Sequence, residues 1–284
     1  QNPKSPSAQV RETQNPKSAL FKTYTISPTG RELITLGETY WEKDTTGQKW
    51  KKGNLADYFA GSVVVEDTLS GHTLGDKGEF PVEGIDTHLI APDGSETIIK
   101  DEKVWFRTST TAKEWTYITL LEKVKEHTVI NALPDKPEQQ LPTAHIDTDA
   151  TSPTNVEIMT LGNRFWKREN AQTKDWETGL LDEYFAHATG AFPITKWDVH
   201  FFRPTGEEVI IAGENYWHRK NSQDGEWITG KLKDLFSDDT LPLGQGREES
   251  TSKENDSQFA QLTDRLMEEL RKFFKAELLN RFDE

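Results

Sequence analysis

The chain has 284 residues, carries a formal charge of -14 at neutral pH, and is 33% hydrophobic and 29% charged. That acidity argues against bulk nucleic-acid binding, which needs concentrated Lys and Arg to neutralise phosphates. The lack of cysteine excludes disulfides, thiolate metal sites and a cysteine nucleophile, and no apolar run approaches the roughly 18–20 residues needed to cross a bilayer.

Residues 1–19 are rich in Pro, Ser, Gln and Lys, and the pentapeptide Gln-Asn-Pro-Lys-Ser stands at both 1–5 and 14–18. Such a segment buries too little apolar surface to order itself, so a disordered tail is expected. Over 20–128 the pattern changes: Tyr40-Trp41 is followed by Trp50, and Trp105 by Trp115. The signature returns over 143–237 as Phe165-Trp166 with Trp176 and Tyr216-Trp217 with Trp227. Repetition of one local aromatic pattern points to a repeat architecture.

The units are related in alternation. Ser27–Gly37 matches Ser152–Gly162 at seven of eleven positions with a constant offset of 125, and Gly78–Gly94 parallels Gly190–Gly206. Gly30 stands where Asn155 stands, and both residue types tolerate positive φ, so Pro-Thr-Gly and Pro-Thr-Asn read as hairpin tips. One unit then reads as strands over Thr87–Ile90, Glu96–Ile99 and Val104–Arg107, with a fourth beginning at Trp115. The pattern Leu-x-Asp/Glu-Tyr/Leu-Phe at 55–59, 181–185 and 232–236 suits one helical turn capping the unit. Gly53, Gly179 and Gly230 precede it and let the chain change direction. Unit two has Tyr117 instead, and its last strand is expected to run into a helix over Thr119–Lys125.

Pro134, Pro137 and Pro142 mark 129–142 as an extended linker. Residues 238–257 read as an acidic linker, and 258–284 as an amphipathic helix that Asp256 or Ser257 can cap. The fold class expected is mainly β (α+β): two pseudo-symmetric halves, each of two related antiparallel β units with short capping helices, plus the C-terminal helix.

Trp41, Trp50, Trp105, Trp115, Trp166, Trp176, Trp217 and Trp227 are read as structural core, because a chain this polar needs them for burial. The alternative use is an exposed platform for sugar rings or a peptide. Asp86/His88 and Asp198/His200 repeat an Asp-x-His spacing, with His145/Asp147 reversed; residues two apart share a strand face, the geometry of a base with its orienting acid or of part of a metal site. Two ligands are too few, and no nucleophile recurs with them, so a structural use is expected and no metal, cofactor or catalytic residue is assigned. The stripe Phe259, Leu262, Leu266, Leu270, Phe273, Phe274 and Leu278 is read as a partner-binding face, the partner being another copy of the chain. The function expected is a non-enzymatic scaffold that self-associates through its β units and tethered helix, without membrane insertion, in an intracellular or organelle-lumen setting; the alternative is a carbohydrate- or peptide-binding module using exposed Trp.

Overall fold

The computed structural model describes residues 11–12, 21–46, 49–66, 79–222, 225–236 and 241. After a two-residue strand β1 (Arg11–Glu12), the first unit forms β2 (Thr23–Ile26), β3 (Glu32–Leu36), β4 (Thr39–Lys43) and β5 (Lys51–Asn54), then helix α1 (Leu55–Tyr58). The second has β6 (Val63–Glu66), β7 (Thr87–Ile90), β8 (Glu96–Lys100), β9 (Lys103–Arg107), β10 (Glu114–Thr119) and α2 (Leu120–Val124). The third has β11 (Thr128–Val129), β12 (Thr148–Thr151), β13 (Glu157–Leu161), β14 (Arg164–Arg168), β15 (Asp175–Leu180) and α3 (Leu181–Tyr184). The fourth has β16 (Ala191–Phe192), β17 (Val199–Phe202), β18 (Glu208–Ala212), β19 (Asn215–Arg219), β20 (Ile228–Lys231) and α4 (Leu232–Leu235).

In each unit four strands pair antiparallel in chain order, and β6 and β11 add parallel to the outer strands β10 and β15. Tight turns make this meander possible. Gly30, Gly94, Asn155 and Gly206 take φ of 89°, 86°, 67° and 94° at the first hairpin tips, the left-handed region in which Gly and Asn are least strained. The first strand of every unit is nearly all buried, whereas β5 and β20 are mostly exposed. The first strands also touch one another in a closed circuit, β2 to β7 to β12 to β17 and back to β2. Four sheets whose inner strands form a ring make a propeller-like arrangement of four blades.

The core lies between blades. Leu55 and Phe59 of blade 1 pack on Ile98, Trp105 and Trp115 of blade 2. Val104 and Leu120 pack on Met159, Trp166 and Trp176, and Ala150 and Phe185 on Ile210 and Trp217. Val209 and Leu232 of blade 4 close on Phe21, Trp41 and Trp50 of blade 1. Each Trp pair therefore serves the interface with the preceding blade, where a large side chain contributes about 1.5–3 kcal/mol on burial. The helices work at the same seams: their first residues, Leu55, Leu120, Leu181 and Leu232, are all buried. Nine residues beyond three of them stand Val64, Val129 and Leu241. Val64 pairs with Trp115 and Val129 with Trp176, while the buried Leu241 shares a cluster with Trp50. Leu241 thus adds a buried side chain to the seam between blade 4 and blade 1.

Several expectations are corrected. The 129–142 segment is a packed connection: β11 pairs with β15, Pro137–Gln139 form a 3-10 turn, and Gln139 O accepts the Trp166 indole N–H at 3.0 Å. Gly53, Gly179 and Gly230 make room for rings, since a Cβ there would lie 2.5–2.8 Å from Tyr40, Phe165 or Tyr216. The residue equivalent to them in blade 2 is Ile118, opposite Val104, and not Tyr117. Blade 2 thus replaces an aromatic–glycine pair by two medium-sized side chains. Helix α2 spans Leu120–Val124 with Thr119 as its cap. Within the expected tail, the backbone of Arg11–Glu12 pairs parallel with β16. The acidic linker 238–257, apart from its buried Leu241, and the helix of 258–284, with Phe259, Leu262, Leu266, Leu270, Phe273, Phe274 and Leu278, lie outside the described residues.

Candidate functional site

A polar chain of contacts runs outward from the ring axis in every blade. The second strand of each blade begins with a buried glutamate: Glu32, Glu96, Glu157 or Glu208. Eight residues before each stands an inner-strand partner. The Tyr24 hydroxyl donates to Glu32 at 2.8 Å, and His88 and His200 Nε2 meet Glu96 and Glu208 at 2.7 and 2.8 Å. In blade 3 the partner is Asp149, which lies against Glu157. A cation at the end of the third strand takes the other carboxylate oxygen: Lys43 Nζ at 2.5 Å, Arg107 Nε at 2.7 Å, Arg168 Nε at 2.8 Å and Arg219 Nε at 2.6 Å. That cation lies over the second Trp of its blade, 5.0, 4.3, 4.6 and 4.5 Å from the rings of Trp50, Trp115, Trp176 and Trp227. Cation–π attraction and the ion pair thus hold one side chain from both sides.

In blades 2 and 4 the capping helix of the preceding blade completes the set. Tyr58 donates to Glu96, and Tyr184 to Glu208 at 2.5 Å. Burial, then the nearby glutamate charge, pushes both phenols well above their ordinary range, so each stays a donor. For Glu96 and Glu208 burial acts upward, but the hydrogen bonds and charges of His88 or His200 and of Arg107 or Arg219 outweigh it, and both carboxyls are held low. These residues escape a sequence reading that looks for known motifs. Their signal is the constant spacing: eight from inner partner to glutamate and eleven from glutamate to cation, in all four units.

The Asp-x-His pairs are divided between two tasks. His88 and His200 turn to their glutamates, whereas the aspartates cap turns. Asp86, Asp147 and Asp198 Oδ2 each accept a backbone N–H at 2.7 Å, from Asp101, Gly162 and Gly213 respectively. These aspartates and Lys22 rim one end of the axis, where only a void of about 10 Å³ remains. His145 bridges that rim, its Nε2 3.3 Å from Asp147 and its Nδ1 3.7 Å from Asp86, and Lys196 reaches Asp147 at 3.0 Å. Asp86, Asp101 and His145 offer ligand atoms within 4.8 Å of one another, a spacing a cation could use, but Asp86 is also shared with Lys22 and the Asp101 N–H.

The other end of the axis opens into a cavity of about 250 Å³. Pro28, Pro92, Pro153 and Pro204 at the hairpin tips surround its mouth, with Ile26, Ile90, Thr151 and Phe202 below them and Arg203 at one side. The tryptophans do not reach it. Seven of the eight expected as core are buried, and Trp227 is half-buried against the blade 3–blade 4 cluster, so the exposed platform of the alternative reading is not built. Trp197 is a ninth indole, fully buried and donating to Pro193 O at 2.9 Å. Among the described residues no helix is long and apolar enough to cross a membrane.

No family model matches the sequence, and no curated protein matches it. Solved structures do. The hemopexin fold protein CP4 from cow pea superposes with a TM-score of 0.54 at 12% identity, over 81% of this chain and 99% of that one. A plant albumin from Cicer arietinum showing hemagglutination gives 0.53 at 12% identity, over 80% and 98%. LS24, a seed albumin from Lathyrus sativus, gives 0.53 at 14% identity, over 78% and 98%. At such identities the likeness is one of fold alone: the chain is built like the cow pea protein's hemopexin fold.

Proposed function

We propose that the protein is a non-enzymatic binding module that takes a small ligand into the cavity at the hairpin-tip end of its axis. The observation that carries this reading is the cavity of about 250 Å³, walled by all four blades. Small-molecule sites are concave and largely preformed, and this one, lined by polar as well as apolar side chains, is slightly below their usual size of roughly 300–1,000 Å³. Support against an enzymatic reading comes from His88, His200 and the buried acids Glu96 and Glu208, each already engaged by a partner within its own blade, His88 and Arg107 on Glu96 and His200 and Arg219 on Glu208. The test is a thermal-shift and calorimetric screen of small polar and amphipathic compounds on the wild-type protein and on Leu89→Trp, which adds bulk at a residue lining the cavity. Binding to the wild type that the variant loses supports the reading; ligands that bind both equally would overturn it.

A second reading, self-association into a larger assembly, is favoured by the outer edge of blade 4. There β20 is mostly exposed and carries Ile228, 57% exposed, whereas β6 and β11 cover the outer strands of blades 2 and 3. Exposed strand edges are templates for pairing with another chain. Ile228→Lys, which puts a charge on that edge, should then lose concentration-dependent mass in sedimentation while keeping its β-type circular dichroism. Full-length protein that stays monomeric at high concentration removes this reading.

We further infer that the chain is a duplicated pair of blades. Blades 1 and 3 share a buried Thr–Thr hydrogen bond, Thr23 to Thr35 and Thr148 to Thr160, both 2.6 Å. Blades 2 and 4 share the His–Glu pairs, and the seams leading into them share a stacked Phe pair, Phe59 on Phe80 at 4.7 Å and Phe185 on Phe192 at 4.5 Å.

A further inference from the structure

Blade 3 departs from the other three at the inner end of its polar chain. In blades 1, 2 and 4 the residue eight before the buried glutamate is one that can donate a hydrogen: Tyr24, His88 and His200. In blade 3 that position holds Asp149, buried to 3% exposure, and among the described residues no donor reaches either of its carboxyl oxygens. Its neighbour Glu157 is also a carboxyl and is already engaged by the Arg168 guanidinium. Two buried carboxyl groups in contact, neither offered a hydrogen by the other if both are ionised, repel in a low-dielectric setting.

We propose that Asp149 is protonated in the folded protein and donates to Glu157, so that the seam between blades 2 and 3 holds a proton and weakens as pH rises. Asp149 then does what Tyr24, His88 and His200 do elsewhere, and the fourfold pattern of donor, glutamate and cation is complete. The groups facing it are Glu157 from β13, Arg168 from β14 and Lys123 from α2, and Tyr24, His88 and His200 of the other inner strands line the same axial space. His127, just beyond α2, does not supply the hydrogen: its Nδ1 accepts the Trp176 indole N–H at 2.9 Å, and burial followed by the charges of Arg168 and Lys123 holds it low. Burial, then the charge of Glu157, pushes the Asp149 carboxyl well above its ordinary range, while Lys123 and Arg168 act the other way.

The sign follows from that upward shift. The unfolded chain releases this proton near the ordinary Asp value of about 3.9, whereas the folded protein keeps it to higher pH. The stabilisation is therefore complete below about 3.9 and is lost as pH rises through the folded value. Asp149→Asn supplies an amide N–H to Glu157 and has nothing to titrate. Relative to this variant, the wild-type folding constant should fall about tenfold per pH unit above pH ~5, or about 1.36 kcal/mol per unit, until Asp149 ionises. Urea unfolding at a series of pH values reads this, and parallel profiles would overturn the proposal.

Should the variant fail to fold, infrared spectroscopy of the native protein decides. A protonated-carboxyl band at neutral pH, moved by selective ¹³C labelling of aspartate, supports the proposal; a spectrum without it overturns the proposal.

Discussion

Removing the Glu208 carboxylate tests whether the polar chains between blades hold the ring together. Glu208 is fully buried and receives three partners: His200 at 2.8 Å, Tyr184 at 2.5 Å and Arg219 at 2.6 Å. Glu208→Ala leaves the Arg219 guanidinium without its counter-charge beneath Trp227, and two further donors without an acceptor. Breaking a buried pair from one side costs about 3–5 kcal/mol, and each orphaned polar group about 1–3 kcal/mol. These costs overlap, so a total of about 4–6 kcal/mol is expected. For a folded unit of this size that corresponds to a fall in Tm of roughly 10–20 °C.

Urea denaturation followed by tryptophan fluorescence measures the loss. Blade 1 supplies the internal comparison. The Lys43 side chain is 31% exposed and Glu32 9%, so solvent screens that pair and Glu32→Ala should cost clearly less, about 1–3 kcal/mol. The double variant Glu208→Leu with Arg219→Leu should recover part of the single-variant loss, because a buried ion pair can be replaced by apolar packing at little cost. A Glu208→Ala penalty under 1 kcal/mol, or one equal to that of Glu32→Ala, would refute the reasoning.

Leu241→Ala opens the last seam of the ring and should destabilise by about 2–5 kcal/mol in urea unfolding, the cost of a buried large-to-small change. Gly53→Ala drives a Cβ to 2.5 Å from the Tyr40 ring and should cost about 1–3 kcal/mol, with Tyr40→Val in the same chain restoring most of it, as blade 2 manages with Val104 and Ile118. Double-mutant thermal denaturation checks that coupling. Because Glu96 and Glu208 are held low, their stabilisation is present above the unfolded value of about 4.3 and is lost as pH falls through their folded values. Acid unfolding monitored by circular dichroism should therefore shift to higher pH in Arg219→Lys, which weakens the hold on Glu208.

Much of the fold was legible in the residues. The strand limits of unit two, the left-handed tips at Gly30 and Asn155, and the helical turns at 55, 181 and 232 all follow from short-range stereochemistry, which a local stretch of chain specifies by itself. Repetition of the Trp pairs announced four copies of one sheet. The chain could not announce that its sheets stand edge-inward around an axis. That depends on inner strands meeting across separations of some sixty residues, and on interfaces whose two sides come from different units. The aromatic–glycine pairs show the same limit: Gly53 reads as a flexible joint until Tyr40 is seen lying on it.

The candidate site divides likewise. The sequence marked Asp86, His88, Asp198 and His200 by recurrence, because a repeat copies side-chain chemistry along with backbone. It could not say that each pair separates, aspartate to a turn and histidine to a glutamate eight residues on, because partner choice depends on which strand lies alongside. Glu208 looks like any surface acid in an acidic chain. Only closure of the ring removes it from water and places His200, Tyr184 and Arg219 around it. Local sequence determined the parts and their number; burial, counter-charge and the axial cavity arise only where parts from different blades meet.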